Sequence, residues 1–198
     1  MRHLLFLSIL LAPALSAQAL DESFFKGDPK QVIQVCADRL MALKPKEERD
    51  LAQIGRAYLV AGNADRAREI LGRVGRTDGQ ALRWAAQGWL EAGDSSQGLA
   101  TMAALSTLGN SANNEMRDGA VLLMDLNFPK EGESLMSRAF QVAPRDWQNL
   151  TAFARAYLRR QHPELAAQWF VRAVESRRNS EGLWMEIAQS VADQGAER

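Results

Sequence analysis

The sequence predicts an all-α chain of stacked helix–turn–helix units without strands, and three observations predict it. Apolar and small residues recur three and four apart, the spacing that lines one face of a helix. Clusters of turn-forming residues interrupt that spacing at regular intervals. The whole pattern then repeats, with copies starting at Glu48, Gly79, Asn113 and Trp147 and a half copy at Glu181, in steps of 31, 34, 34 and 34 residues. Self-similarity at a fixed period of this size marks an array in which each unit buries its apolar face against its neighbours.

The elements follow in chain order. Met1-Arg2-His3 is a basic start, Leu4 to Leu15 is an apolar run broken only by Ser8 and Pro13, and Ser16-Ala17-Gln18-Ala19 ends in an A-x-A pattern. Residues 1–19 therefore read as a secretory signal peptide cleaved after Ala19. The run is shorter than the roughly 20 apolar residues that a bilayer span needs. No cysteine follows the cleavage point to carry a lipid, and Cys36 lies too far downstream. Residues 20–47 form an N-terminal segment in which Asp28-Pro29 opens a covering helix that runs to about Leu43, ahead of Pro45. Cys36 sits there among Val32, Val35 and Leu40 and reads as a small buried hydrophobe.

Residues 48–180 hold the four copies, 48–78, 79–112, 113–146 and 147–180. The first half of each carries a helical face: Leu51, Ile54, Gly55 and Tyr58 in the first, Leu150, Phe153, Ala154 and Tyr157 in the fourth. Turns come at Ala61-Gly62-Asn63, Ala92-Gly93-Asp94, Leu126-Asn127-Phe128-Pro129 and Gln161-His162-Pro163. Gly and Asn suit the left-handed residue that ends a helix, and Asp, Ser and Pro suit the start of the next. Small residues at Gly55, Ala86, Ala120 and Ala154, and at Ala67, Gly98, Gly132 and Ala166, allow paired helices to approach closely. The three residues missing from the first copy are expected in its connection, around Gly75-Arg76-Thr77-Asp78. Residues 181–198 supply a closing helix over the fourth copy, with Glu186, Gln189, Asp193, Gln194 and Glu197 on its solvent side. The expectation is ten helices.

Ile54-Gly55-Arg56-Ala57-Tyr58, Phe153-Ala154-Arg155-Ala156-Tyr157 and Ala166-Ala167-Gln168-Trp169-Phe170-Val171-Arg172-Ala173 carry a known pattern. Together with the 34-residue step, the pattern resembles the tetratricopeptide repeat, over about residues 48–198. The third copy, with Gly119 and Asn127 at family positions, departs most. The resemblance implies a right-handed superhelical solenoid whose inner groove is lined by the second, fifth, ninth, twelfth and thirteenth residues of each copy. It implies a protein- or peptide-binding module of the exported scaffold or adaptor kind.

Composition narrows the function classes. Lys and Arg total 24 against 24 Asp and Glu, which excludes the basic excess of a general nucleic-acid binder. Two His and one Cys leave no multi-cysteine zinc site and no internal disulfide framework. Removal of residues 1–19 leaves His162, in a turn, as the one histidine. With no phosphate loop and no nucleophile motif either, the reading is a non-enzyme without cofactor or metal.

The family's lining positions give two stripes in this chain. The apolar stripe is Leu59, Leu90, Met124 and Leu158, and the basic stripe is Arg56, Arg83, Arg117 and Arg155, one per copy, with Arg49 and Arg159 on the same side. Glu91 and Asp125 interrupt it in the middle. Such a groove suits a peptide offering apolar anchors and carboxylates, which guanidinium groups grip through paired hydrogen bonds. Arg56 stands where the family's clamp for chaperone C-termini needs an Asn, so that partner class is disfavoured. Between residues 145 and 178, Arg145, Arg155, Arg159, Arg160, Arg172, Arg177 and Arg178 face only Asp146, Glu164 and Glu175, an excess that fits a solvated face better than contact with an anionic surface such as lipid headgroups or an acidic protein. The rival to a peptide groove is an assembly subunit of an envelope complex, in contact through its convex face or its ends. Asn149-Leu150-Thr151 matches a glycosylation acceptor but falls inside an expected helix. A bacterial periplasm is the expected destination.

Overall fold

Every copy opens with a helix where the period says it should. In the computed structural model, which describes residues 22–196, α1 (Glu22–Phe25) and α2 (Pro29–Ala42) precede four hairpins. These are α3 (Glu48–Val60) with α4 (Ala64–Leu71), α5 (Gly79–Glu91) with α6 (Ser95–Ala103), α7 (Asn113–Asp125) with α8 (Pro129–Val142), and α9 (Trp147–Arg159) with α10 (Pro163–Ser176). Then comes α11 (Glu181–Ala196). The four first helices each have 13 residues. Among the described residues there is no strand, and there are eleven α-helices rather than ten. The addition is α1, four residues with no periodic pattern to announce it. The expected signal peptide, together with Glu197, lies outside the described residues.

One turn geometry recurs in all four hairpins. Gly62, Gly93, Asn127 and Gln161, each the fifteenth residue of its copy, have φ of +86°, +85°, +67° and +61°. The residue after each donates its backbone N–H five residues back, at 2.8 to 3.0 Å: Asn63 to Tyr58, Asp94 to Trp89, Phe128 to Leu123 and His162 to Tyr157. This satisfies carbonyls that the helix end leaves open. The following helix starts in one of two ways. Asn63 and Asp94 accept from the backbone N–H three residues on, whereas α8 and α10 place Pro129 and Pro163 in the first turn.

The second helices differ more than the first. α8 and α10 have 14 residues, but α4 has 8 and α6 has 9. The shortening of the first copy therefore falls in α4, not in the connection, because Gly72 and Gly75 give the helix little support. After α6, two 3-10 turns at Ala104–Thr107 and Gly109–Ala112 replace the missing helical turns and bury Leu105 and Ala112.

The first helices lie side by side in the order α3, α5, α7, α9, α11, each touching the next. One apolar cluster spans α3 to α5 around Tyr58 and Ile70, and a second runs from Leu82 on α5 to Ala166 on α10. A third, around Leu150, Ala173 and Leu183, seats α11. The chain's two tyrosines tie a first helix to the preceding second helix. Tyr58 Oη donates to Asp38 on α2, and Tyr157 Oη donates to Glu133 on α8 at 3.0 Å. Asn149 is fully buried, and its Nδ2 donates to Asn113 Oδ1 at 2.9 Å, so the acceptor-like triplet serves the interior.

Candidate functional site

The α5, α7, α9 and α11 helices together frame one concavity of about 540 Å³ on the first-helix face. Arg83, Arg117, Arg155 and Arg159 line it, with Asp118, Val121, Gln148, Ala152 and Glu186. The guanidinium groups reach one space because their helices start in phase. Arg83 and Arg117 are both fifth residues, Arg155 is a ninth, and positions four and eight residues apart share a helix face.

The ion pairs separate these arginines into two kinds. Arg155 Nη2 lies 3.1 Å from Glu186 Oε1, and Arg159 meets both oxygens of Asp125 at 3.0 Å. Arg117 Nε donates to the adjacent Asp118 at 2.8 Å. Arg83 has no hydrogen-bond or ion-pair partner among the described residues, and its Nε is buried. A buried donor left without an acceptor costs about 1–3 kcal/mol, more when it belongs to a charged group.

The remaining expected site residues lie elsewhere. Arg56 is drawn across α3 and α5 into a two-bond pair with Glu91, Nε to Oε2 at 2.8 Å and Nη2 to Oε1 at 2.7 Å. Burial acts to raise the Glu91 carboxyl, but hydrogen bonds from Arg56 and Gln87 and the Arg56 charge outweigh it and hold the carboxyl below its ordinary range. Arg49 likewise holds Asp78, Nε to Oδ2 at 2.7 Å. Burial pulls the Asp78 carboxyl up, and the backbone N–H of Ala81 and the Arg49 guanidinium bring it below normal. These arginines fasten copy one to copy two and do not line the concavity.

The apolar stripe is interior. Leu59, Leu90 and Met124 are 6%, 8% and 1% exposed, so they present no anchor surface. Leu90 and Met124 occupy the space left by Gly98 and Gly132, where an added Cβ would fall within 3 Å of their side chains. Leu158 is half-buried against the larger cluster. Twelfth-position residues fill the hairpin, because the small residue opposite leaves room that only they reach.

Glu186 also departs from expectation. Instead of facing solvent it accepts from Thr151 Oγ1 at 3.1 Å and pairs with Arg155, which closes one side of the concavity. Its register carried the signal: it is the sixth residue of its copy, as Asp118 is of copy three, and both line the same space. His162 is exposed at the start of α10. Among the described residues, no three His, Cys, Asp or Glu side chains gather to hold a metal ion.

A larger depression of about 740 Å³ lies between α6 and α8. Its charges are already balanced or occupied. Lys130 and Glu131 carry opposite charges, and Arg138 reaches the Ser106 carbonyl and Gln141. It contains no orphaned polar group, so the arginine-lined concavity is the better candidate for binding.

No protein-family model matches the chain, and no curated protein matches it. Two crystal structures of MamA are similar to it at 14% sequence identity and a TM-score of 0.46. One comparison covers 78% of this chain and 85% of that one, and the other covers 80% and 94%. Among the described residues the chain is an all-helical stack of four helix–turn–helix units, with four arginines lining one concavity.

Proposed function

We propose that the chain is a protein-interaction module, without catalytic activity, that binds a carboxylate-bearing segment of a partner protein in the concavity between α5 and α11. The first-helix layer then forms the inner groove of a superhelical stack. Arg83 carries this reading: it lines the concavity with three further arginines and, unlike them, has no carboxylate partner among the described residues. Arginine's planar fork suits a carboxylate, and half-buried Val121 offers the bound segment apolar surface. The signal-like residues 1–19 support export, most simply to a periplasm, where such a module acts as an adaptor or scaffold for envelope proteins.

An array of Asp- and Glu-containing peptides, probed with the folded chain, tests the reading. Binding should follow peptide carboxylate content, weaken with salt, and vanish in Arg83→Glu/Arg117→Glu with the helical circular dichroism unchanged. Equal binding by neutral peptides, or by the double variant, rules the groove out. N-terminal sequencing of the protein from cell fractions tests export, with Leu20 as the expected first residue.

A further inference from the structure

The two ends of the array are halves of the same unit. The α11 helix is a first helix with no second helix following it among the described residues, and α2 is a second helix with no first helix described before it. In register, Trp184, Ile187, Ala188 and Val191 of α11 match Leu150, Phe153, Ala154 and Tyr157 of α9. In α9 these four are 0%, 0%, 0% and 7% exposed, because α10 covers them. In α11, Trp184 is 50% and Val191 56% exposed, although their register partners in α9 are buried. α11 seats itself through Leu183, at 0%, and Ser190, at 5%, the register positions of the buried Asn149 and Ala156 of α9, so it keeps the orientation of α9, and no described second helix covers the Trp184–Val191 stripe.

α2 shows the matching face. It packs on α3 through Ala37 and Met41, while Val32, Cys36, Leu40 and Leu43, spaced four, four and three apart, form a second apolar stripe to one side. Leu40 and Leu43 are 49% and 79% exposed. α2 also has the marks of a paired second helix, with 14 residues and Pro29 in its first turn, as in α8 and α10.

Charge agrees with the pairing. Residues 28–46 carry Lys30, Arg39, Lys44 and Lys46 against Asp28 and Asp38, and both carboxylates are engaged, Asp28 in capping α2 and Asp38 with Tyr58. Residues 181–193 carry Glu181, Glu186 and Asp193 and no Lys or Arg, with Glu186 already paired to Arg155 of α9. The basic end complements the acidic end, and like ends repel.

We infer that α11 of one copy docks beside α2 of a second copy, the two half units completing one helical hairpin across the contact. The contact is head to tail, so it leaves a free α2 at one end and a free α11 at the other. Association therefore continues into an open chain of copies unless the rotation closes a ring. This stands apart from the groove, whose arginines it does not use.

Sedimentation velocity of the full chain across a concentration series tests the inference, with the exposed-residue variants Val191→Glu on α11 and Leu40→Glu on α2. The wild type should show species beyond the dimer that grow with concentration and shrink with added salt. Each variant alone should lose all species above monomer. An equimolar mixture of the two should form a dimer and nothing larger, because one intact end remains on each partner. Maleimide labelling of Cys36, on the α2 stripe, should slow with concentration in the wild type and not in Val191→Glu. A wild type that stays monomeric at its highest soluble concentration overturns the proposal. So does a mixture of folded variants that stays monomeric while the wild type associates.

Discussion

The α3–α5 joint and the α5–α7–α9 stretch are built from the same repeat and end up as opposites. At the first, contact is extensive, and Gly88 of α5 lies against the Arg56 backbone, where an added Cβ would be 3.2 Å from Cα. Ala81 and Ala85 keep the rest of that face small. Arg56 then reaches Glu91 with both ends of its fork. At the second, the residues in the register of Ala81 and Gly88 are Glu115 and Leu122. The 3-10 turns also touch both α5 and α7, with Leu105 packed near Gly119. These first helices touch less, and the arginines between them converge on open space. Between α5 and α7 the contrast follows the size of these two side chains, and one periodic pattern yields a fastened joint on one side of α5 and an open concavity on the other.

Gly88→Leu should disturb that contrast most. The larger residue forces α3 from α5, at a cost of about 1–3 kcal/mol, read as a fall in thermal midpoint. Retained stability would mean that close approach is not what fastens the joint.

Arg56→Met comes next. The pair is half-exposed, so its loss should cost about 0.5–1 kcal/mol by denaturant unfolding. The pH dependence has a definite sign. Glu91 and Asp78 titrate below their ordinary values in the fold, so their contribution is present above the unfolded carboxyl pKa and is lost as pH falls through the folded one. Acid destabilisation should therefore be shallower in Arg56→Met than in the wild type.

The two tyrosines give a milder test of packing between copies. Burial, with Asp38 beside Tyr58 and Glu133 beside Tyr157, pushes both hydroxyls up from 10.0 to about 12. Raised values favour the neutral phenol, so this stabilisation is complete below pH 10 and lost as pH rises through about 12. Tyrosinate absorbance should stay flat past pH 10 in the folded chain and rise there once it is denatured.

Much of this was legible in the sequence. The helix starts fell where the period placed them, and Gly62, Gly93, Asn127 and Gln161 took the left-handed turn, because those positions follow from local backbone chemistry. The convergence of Arg83, Arg117, Arg155 and Arg159 was also legible, since in-phase positions share a face. The helix radius at each crossing was not. Whether Arg56 lies open or tied depends on Gly88 across the joint, and whether Leu90 is groove or core depends on Gly98 opposite it. Glu186 was misread because α11 was treated as an edge with one solvent side, when its register repeated that of the helices before it.

Arg83→Met should have the smallest effect on stability, leaving the thermal midpoint unchanged or slightly raised, because it removes an unsatisfied buried donor. That makes it the sharpest probe of the central claim, that the open stretch binds carboxylates and the fastened joint does not. The deciding measurement is fluorescence anisotropy of a labelled glutamate-rich peptide titrated with wild type, Arg83→Met and Arg56→Met. The account predicts a loss of about tenfold or more in affinity for Arg83→Met, the weight of one charge-assisted hydrogen bond, and wild-type affinity for Arg56→Met. Equal binding by all three proteins, or a loss confined to Arg56→Met, would contradict it.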